Sequence, residues 1–389
     1  MVNSPKAPRS SVLNGSLLGF ALVLLLSLPV QAQAPSPDSA IALEQQGNLA
    51  GAEREWRLWV QDHPEDADAL VSLGLVFSKE EKYNEAVDAY RKAIAINPKL
   101  PGIQLNLGLA EFKGGNFQAA IAPFRTVLAA APDNFQARTL LGMSYYGAGK
   151  FEEASKHLEL ALKVDPANPE LHNVLAQACL SAKKYTCALD EFSWILKRNP
   201  DSAAAHILMG EALDGLGRTP EAIAEFLQAA KADPHATNVN FGLGYLYWKM
   251  HQYDDARTEF EAELATDPNH AQALAYLGDV EWKRNNLDQA VSLLKKATQA
   301  KSDLRIAQLD LGAVLTQQRH YNEALAALKR AVELDPTQPD AHYRLGRLYQ
   351  AMGRKEEGQA EFVRVQQLQQ KTDSDLVRKM SEQPPALPQ

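Results

Sequence analysis

The chain has 389 residues, 46% of them hydrophobic and 23% charged, a balance typical of soluble globular protein and long enough for more than one core. Its formal net charge is -8 and it has no long basic run, which excludes a general nucleic-acid binder whose affinity would depend on neutralising phosphates.

The first stretch differs from everything after it. Lys6 and Arg9 precede an apolar run from Leu17 to Val30, and small residues follow at Ala32 and Ala34. The pattern predicts a secretory signal peptide over residues 1–32, cleaved after Ala32 or Ala34. The run is interrupted by Pro29 and is shorter than the roughly 20 residues that span a bilayer, so no stable membrane span is expected once the signal is removed. Cleavage would remove Lys6 and Arg9 but no acid, leaving an acidic mature protein that we expect to be periplasmic or secreted.

Pro35 and Pro37 then keep the backbone extended, and Asp38 or Ser39 is placed to cap a helix from about Ala40. This first unit is short at its start; its second helix carries Ala52, Trp56 and Trp59 and stops at Pro64. Between Asp68 and Lys99 the pattern becomes complete. Leu70, Leu73, Gly74 and Phe77 form one apolar stripe, Ala86, Tyr90 and Ala93 a second, and Pro98 closes the unit, which predicts two amphipathic helices and a stop.

The same unit recurs. Setting position 1 at residues 33, 67, 101, 135, 169, 203, 237, 271, 305 and 339 gives ten units of 34 residues without an insertion. Position 8 is Gly or Ala throughout, as in Gly74, Gly142 and Ala176, and position 20 is Ala until Gly358. Small residues at both places let the two helices of a unit approach closely. Proline holds position 32 in eight of the ten units, with Ser302 and Gln370 in the other two.

With Leu at position 7, Gly at 8, Ala at 20, an aromatic or Leu at 24 and Pro at 32, residues 33–372 resemble the tetratricopeptide repeat family. The resemblance implies an all-α, right-handed superhelical α-solenoid of tandem helix-turn-helix repeats, its concave wall built from positions 2, 5, 9, 12 and 13. Residues 373–389 continue with a helical pattern to Met380, a candidate capping helix, and then a Pro-rich tail at Pro384, Pro385 and Pro388. The short first unit and Ser302 at position 32 of the eighth mark these two units as the weak points of the array.

Large aromatics fall on the implied wall at position 12 in two neighbouring pairs, Phe112 with Tyr146 and Trp248 with Trp282. Phe241 and Tyr245 share the helical face of Trp248, and Lys113, Lys249 and Lys283 follow at position 13. These nine residues make a candidate groove of aromatic surface edged by lysines, with Trp248 and Trp282 facing the groove. Tyr145, Tyr247 and Tyr349, at position 11, are expected to pack inward, while Tyr276 and Tyr343 could do either. Gln177, Glu211, Asp214, Asp279, Asp310, Arg344 and Arg347 interrupt the surface, so a ligand would be read as basic near the middle and acidic near the C-terminal end. Family members that grip a C-terminal carboxylate use Asn at position 9, where this chain has Leu75, Glu211, Tyr245 and Asp279 among others, so that grip is absent.

No two-histidine helix motif, Gly-rich phosphate loop or nucleophile elbow occurs, so we expect no enzyme, no cofactor and no metal. His172, His206 and His342 share position 4, where a buried or capping role is expected. Cys179 and Cys187 stand at positions 11 and 19 of one unit; export would permit a disulfide, but inward and outward directions at these positions predict two free thiols. The chain thus reads as an exported, non-catalytic scaffold or adaptor for an extended peptide or partner protein. The alternatives are a polysaccharide-binding or envelope-export helper using the aromatic groove, and the regulatory half of an assembly whose enzyme is another chain.

Overall fold

The structure is a computed structural model and describes residues 36–382. The candidate signal peptide and the prolines from Pro384 onward lie outside the described residues. Among the described residues there are twenty α-helices and no strand, arranged as ten hairpins, one per 34-residue unit. None of these helices is long and apolar enough to cross a membrane.

A representative hairpin pairs Ala67–Lys79 with Tyr83–Ile96. The Asp66 side chain caps the first helix by accepting from Ala69 N–H at 3.0 Å, and Asn134 and Ser202 cap theirs in the same way. At the start of the array the cap is Ser36, which accepts from Ser39 N–H at 3.2 Å, so the helix begins at Pro37 and not near Ala40. Proline suits that first helical position because its missing N–H would be unsatisfied there anyway.

Between the two helices of every unit the chain reverses through one left-handed residue at position 15. Five of these are Gly47, Gly115, Gly149, Gly217 and Gly353; the others are Glu81, Lys183, His251, Asn285 and Arg319, with φ from 58° to 66°. Each hairpin then closes on small residues. Ala52, Ala86 and the seven alanines that follow at position 20 are fully buried. Gly at position 8 makes room for the bulky side chain at position 24: a Cβ on Gly74 would lie 2.6 Å from Tyr90 Cε1. In the fifth unit Ala176 fills this place, buried with Phe192.

Successive hairpins stack, each second helix against the first helix of the next unit. From Ala67–Lys79 to Pro339–Ala351 each first helix also touches the next first helix, and among the described residues no comparable contact joins successive second helices. First helices therefore crowd together on the inside of the curve and form the inner wall of an α-solenoid.

The second helices of units one to nine end at position 28 or 30. This includes Leu287–Ala300, although Ser302 stands where the other units have proline. A continuous core from Leu274 to Tyr349 spans that junction. Docking of the following unit thus stops the helix even without the proline. In the tenth unit Gln370 replaces proline and no further described unit follows; there the second helix runs unbroken from Lys355 to Glu382, through the boundary drawn at residue 372.

Candidate functional site

The inner wall is cross-tied between neighbouring units by side chains at positions 9, 12 and 13. Lys79 Nζ reaches Glu44 Oε2 at 2.8 Å and Lys249 Nζ reaches Asp214 Oδ1 at 2.6 Å, in each case position 13 of one unit bonding position 12 of the unit before. The aromatics of position 12 reach the other way. Tyr146 O–H donates to Gln177 Oε1 at 2.9 Å, and Trp248 Nε1–H donates to Asp279 Oδ2 at 2.7 Å. Trp282 Nε1–H donates to Gln317 Oε1 at 2.8 Å. Each ring is held at its polar edge by the next unit while its face stays half-buried on the wall.

Phe241, Tyr245 and Trp248 converge with Tyr276 of the following helix. Tyr276 lies 5.0 Å from Trp248 and 5.5 Å from Tyr245, both edge-on, and 6.1 Å from Phe241. Tyr276 therefore joins this cluster, and burial pushes its hydroxyl up to about 12. Trp282 stands apart, with Lys283 Nζ 4.9 Å and the Arg344 guanidinium 5.2 Å from its ring centre. Lys283 also lies 3.7 Å from Asp279, and Arg344 4.0 Å from Asp310. Asp310 is buried; loss of hydration, reinforced by the charge of Asp279, pushes its carboxyl up to about 7.

Phe112 and Tyr146 belong elsewhere. They rest on the core around Phe124 and Tyr145, with Phe112 edge-on to Phe117 at 5.5 Å and Tyr146 tilted against Phe151 at 5.7 Å. Among the described residues no ring contact links them to the Phe241 cluster. Lys113 lies exposed beside Phe112 in sequence. Tyr145 and Tyr349 are buried and Tyr247 is half-buried, whereas Tyr343 is exposed.

A cavity of about 260 Å³ opens on the wall between the first helices of the sixth and seventh units, Ala203–Gly215 and Val239–Lys249. Glu211, Asp214, Phe226, Phe241 and Tyr245 line it. Of these Phe226, which comes up from a second helix, carried no signal as a wall residue in the sequence. A cavity of about 450 Å³ lies on the other side of Glu211, against Tyr146, Gln177 and Leu208.

The cysteines correct the sequence expectation of free thiols. Cys179 and Cys187 are joined by a disulfide with their Cα atoms 5.9 Å apart, Cys179 fully buried and Cys187 half-buried. The hairpin turn rotates the second helix so that position 19 meets position 11 of the first, which reasoning from each helix alone does not give. Glu159 lies beside both sulfurs in a group close enough to hold a metal ion, but the two sulfurs are bonded to each other.

The position-4 histidines form a repeated tie that sequence reasoning placed only as buried or capping. His172, His206 and His342 each set Nδ1 against a glutamate at position 23, namely Glu191, Glu225 and Glu361. Their Nε2 atoms lie 3.1, 2.9 and 3.2 Å from the carbonyls of Pro166, Pro200 and Pro336. Each histidine thereby links its own hairpin to the last turn of the preceding unit.

Family models described as tetratricopeptide repeat match residues 111–178, 184–237, 241–304 and 339–372, and one described as TPR repeat matches 74–115 and 312–353. No curated protein sequence matches the chain. Among solved structures, the chain is similar to the APC/C hetero-tetramer Cut9-Hcn1, with 13% identity over 87% of this chain and 82% of that one and a TM-score of 0.52. A tetratricopeptide repeat protein from Parabacteroides merdae matches at 18% identity, covering 64% of this chain and 98% of its own, with a TM-score of 0.49. YrrB, titled a TPR protein with an unusual peptide-binding site, matches at 23% identity over 49% of this chain and 97% of its own, with a TM-score of 0.39.

Proposed function

Because this chain belongs to the tetratricopeptide repeat family, we propose that it is a non-catalytic scaffold that holds an extended peptide or a partner protein along its inner wall. The observation that carries this reading is the division of the wall into separate aromatic surfaces with charged groups between them. Phe112 and Tyr146 rest on one core with separate ring partners, Phe241, Tyr245, Trp248 and Tyr276 cluster on another stretch, and Trp282 with its two cations stands apart from both. An extended peptide offers side chains of differing chemistry at regular spacing and fits such an arrangement. A polysaccharide, which repeats one ring, would be served better by an unbroken series of exposed ring faces.

We place the scaffold in the periplasm or outside the cell. The apolar run after Lys6 and Arg9 and the Cys179–Cys187 disulfide support this placement, since disulfides persist in oxidising compartments.

The test is capture from an envelope extract by the chain beginning at residue 33, beside a Trp248→Ala/Trp282→Ala variant shown by circular dichroism to be folded. Protein and glycan fractions are both analysed. A protein held by the native chain and lost from the variant supports the scaffold. Glycan lost instead assigns the wall to sugar, and partners unchanged by the substitutions move the site off these rings.

A further inference from the structure

The cavity at Glu211 is specific in its chemistry. Asp214, one turn further along the helix, already bonds Lys249 Nζ at 2.6 Å and accepts from Thr219 Oγ1 at 3.2 Å. Glu211 has no hydrogen bond or ion pair to any of the described residues, although it lines the cavities on both sides of its helix. Glu211 is exposed to solvent at the mouth of the cavity, and the packing around it raises its carboxyl above the ordinary range by loss of hydration. An unpaired carboxylate in such a place is a vacant counter-charge.

The rest of the cavity is aromatic. Phe226 is buried and forms the floor, and Phe241 and Tyr245 form the walls. Gly242 lets the seventh unit settle onto that floor, since a Cβ there would lie 2.1 Å from Phe226 Cε1. At about 260 Å³ the space is below the roughly 300–1,000 Å³ of small-molecule sites and is the size of one long side chain. Flat rings accept a methylene stem or a guanidinium plane, and the carboxylate accepts the charged end. An apolar side chain would fill the same walls but leave Glu211 desolvated and unpaired, which is unfavourable.

We propose that this cavity is a specificity pocket for one Lys or Arg side chain of the extended partner, with Glu211 as its counter-charge and Phe241 and Tyr245 as its walls. The inference rests on the groove reading above and names the chemistry that the groove selects.

A random peptide display library, selected against the folded chain from residue 33 and against Glu211→Gln and Glu211→Lys variants, tests both readings separately. Glu211 makes no internal bond, so both variants are expected to keep the native circular dichroism and melting profile. The expected pool from the native chain is enriched roughly tenfold for Lys or Arg at one register, the scale of a charge-assisted contact. That enrichment disappears with Glu211→Gln, which still captures peptides, and gives way to Asp or Glu with Glu211→Lys. A pool without a cationic register, or one whose register is unchanged in Glu211→Gln, overturns the pocket and leaves the groove intact. If the native chain captures no peptide, the groove reading and the pocket fall together.

Discussion

Trp248 and Asp279 are joined edge to carboxylate, Nε1 to Oδ2 at 2.7 Å, across the boundary between the seventh and eighth units. Asp279 is buried, with the Lys283 ammonium 3.7 Å away and its charge felt by Asp310. Trp248→Phe keeps most of the ring but removes the donor, so the carboxylate loses a partner that water cannot readily replace. We expect a loss of about 1–2 kcal/mol in urea unfolding. Tyr146→Phe breaks the corresponding bond to Gln177, which is only half-buried, and its cost is expected to be about 0.5 kcal/mol. Equal costs in the two variants would show that burial of the acceptor does not control the tie.

Asp310 gives the array a pH dependence of definite sign. Its carboxyl is pushed up to about 7 in the folded chain, against about 3.9 for an unfolded aspartate. Between those values the folded state holds a proton that the unfolded state has released, so this residue's contribution to stability falls as pH rises from about 4 to 7. The cations of Arg344 and Lys283 moderate the effect, and the acids Asp279 and Asp340 increase it. Asp310→Asn, neutral at every pH, is expected to match the native chain near pH 4 and to exceed its stability by roughly 2–4 kcal/mol at pH 8. Denaturation midpoints at the two pH values measure the difference; an Asn variant less stable at pH 8 would place an ionised carboxylate there as a favourable partner of Arg344.

The Cys179–Cys187 bond closes a short loop across one hairpin, with a sequence separation of 8. For a loop of that size the chain-entropy model gives a stabilisation of about 2.5 kcal/mol. Alkylation of the denatured chain without reductant is expected to leave its mass unchanged, and Cys179→Ala/Cys187→Ala to lower the stability of the fifth unit by about that amount. Two alkyl groups added before reduction would show free thiols instead.

The repeat was legible because close packing leaves a compositional trace: only a small residue fits where Gly74 meets Tyr90 or where Ala86 is enclosed. Phe241 and Tyr245 were legible as wall residues for the same reason, since they share one helical face. The ties between units were harder to see because each partner lies in another repeat. A regular signal existed nonetheless, since Tyr146–Gln177 and Trp248–Asp279 have the same separation of 31. The disulfide was misjudged because the direction of Cys187 depends on how the turn rotates its helix. That turn was itself hidden, because half of its left-handed residues are not glycine.

Those five non-glycine residues are sites where the fold carries local strain. Arg319 has φ 64°, its side chain is exposed, and its N–H bonds Thr316 O at 3.1 Å, a backbone contact that any residue provides. A side chain in this region costs about 1–2 kcal/mol relative to glycine, and glycine gives back part of that through the greater freedom of the unfolded chain. Arg319→Gly is therefore expected to stabilise the array by about 0.5–1 kcal/mol. The reverse change at the equivalent place, Gly353→Ala, meets no atom within 4 Å but must adopt φ 78°, and is expected to destabilise by about 1 kcal/mol. Paired guanidinium melts of the two variants decide the matter, since backbone strain requires opposite signs. If both destabilise, the Arg319 side chain contributes something that its exposed position does not reveal; if neither moves, the turn tolerates left-handed residues without cost.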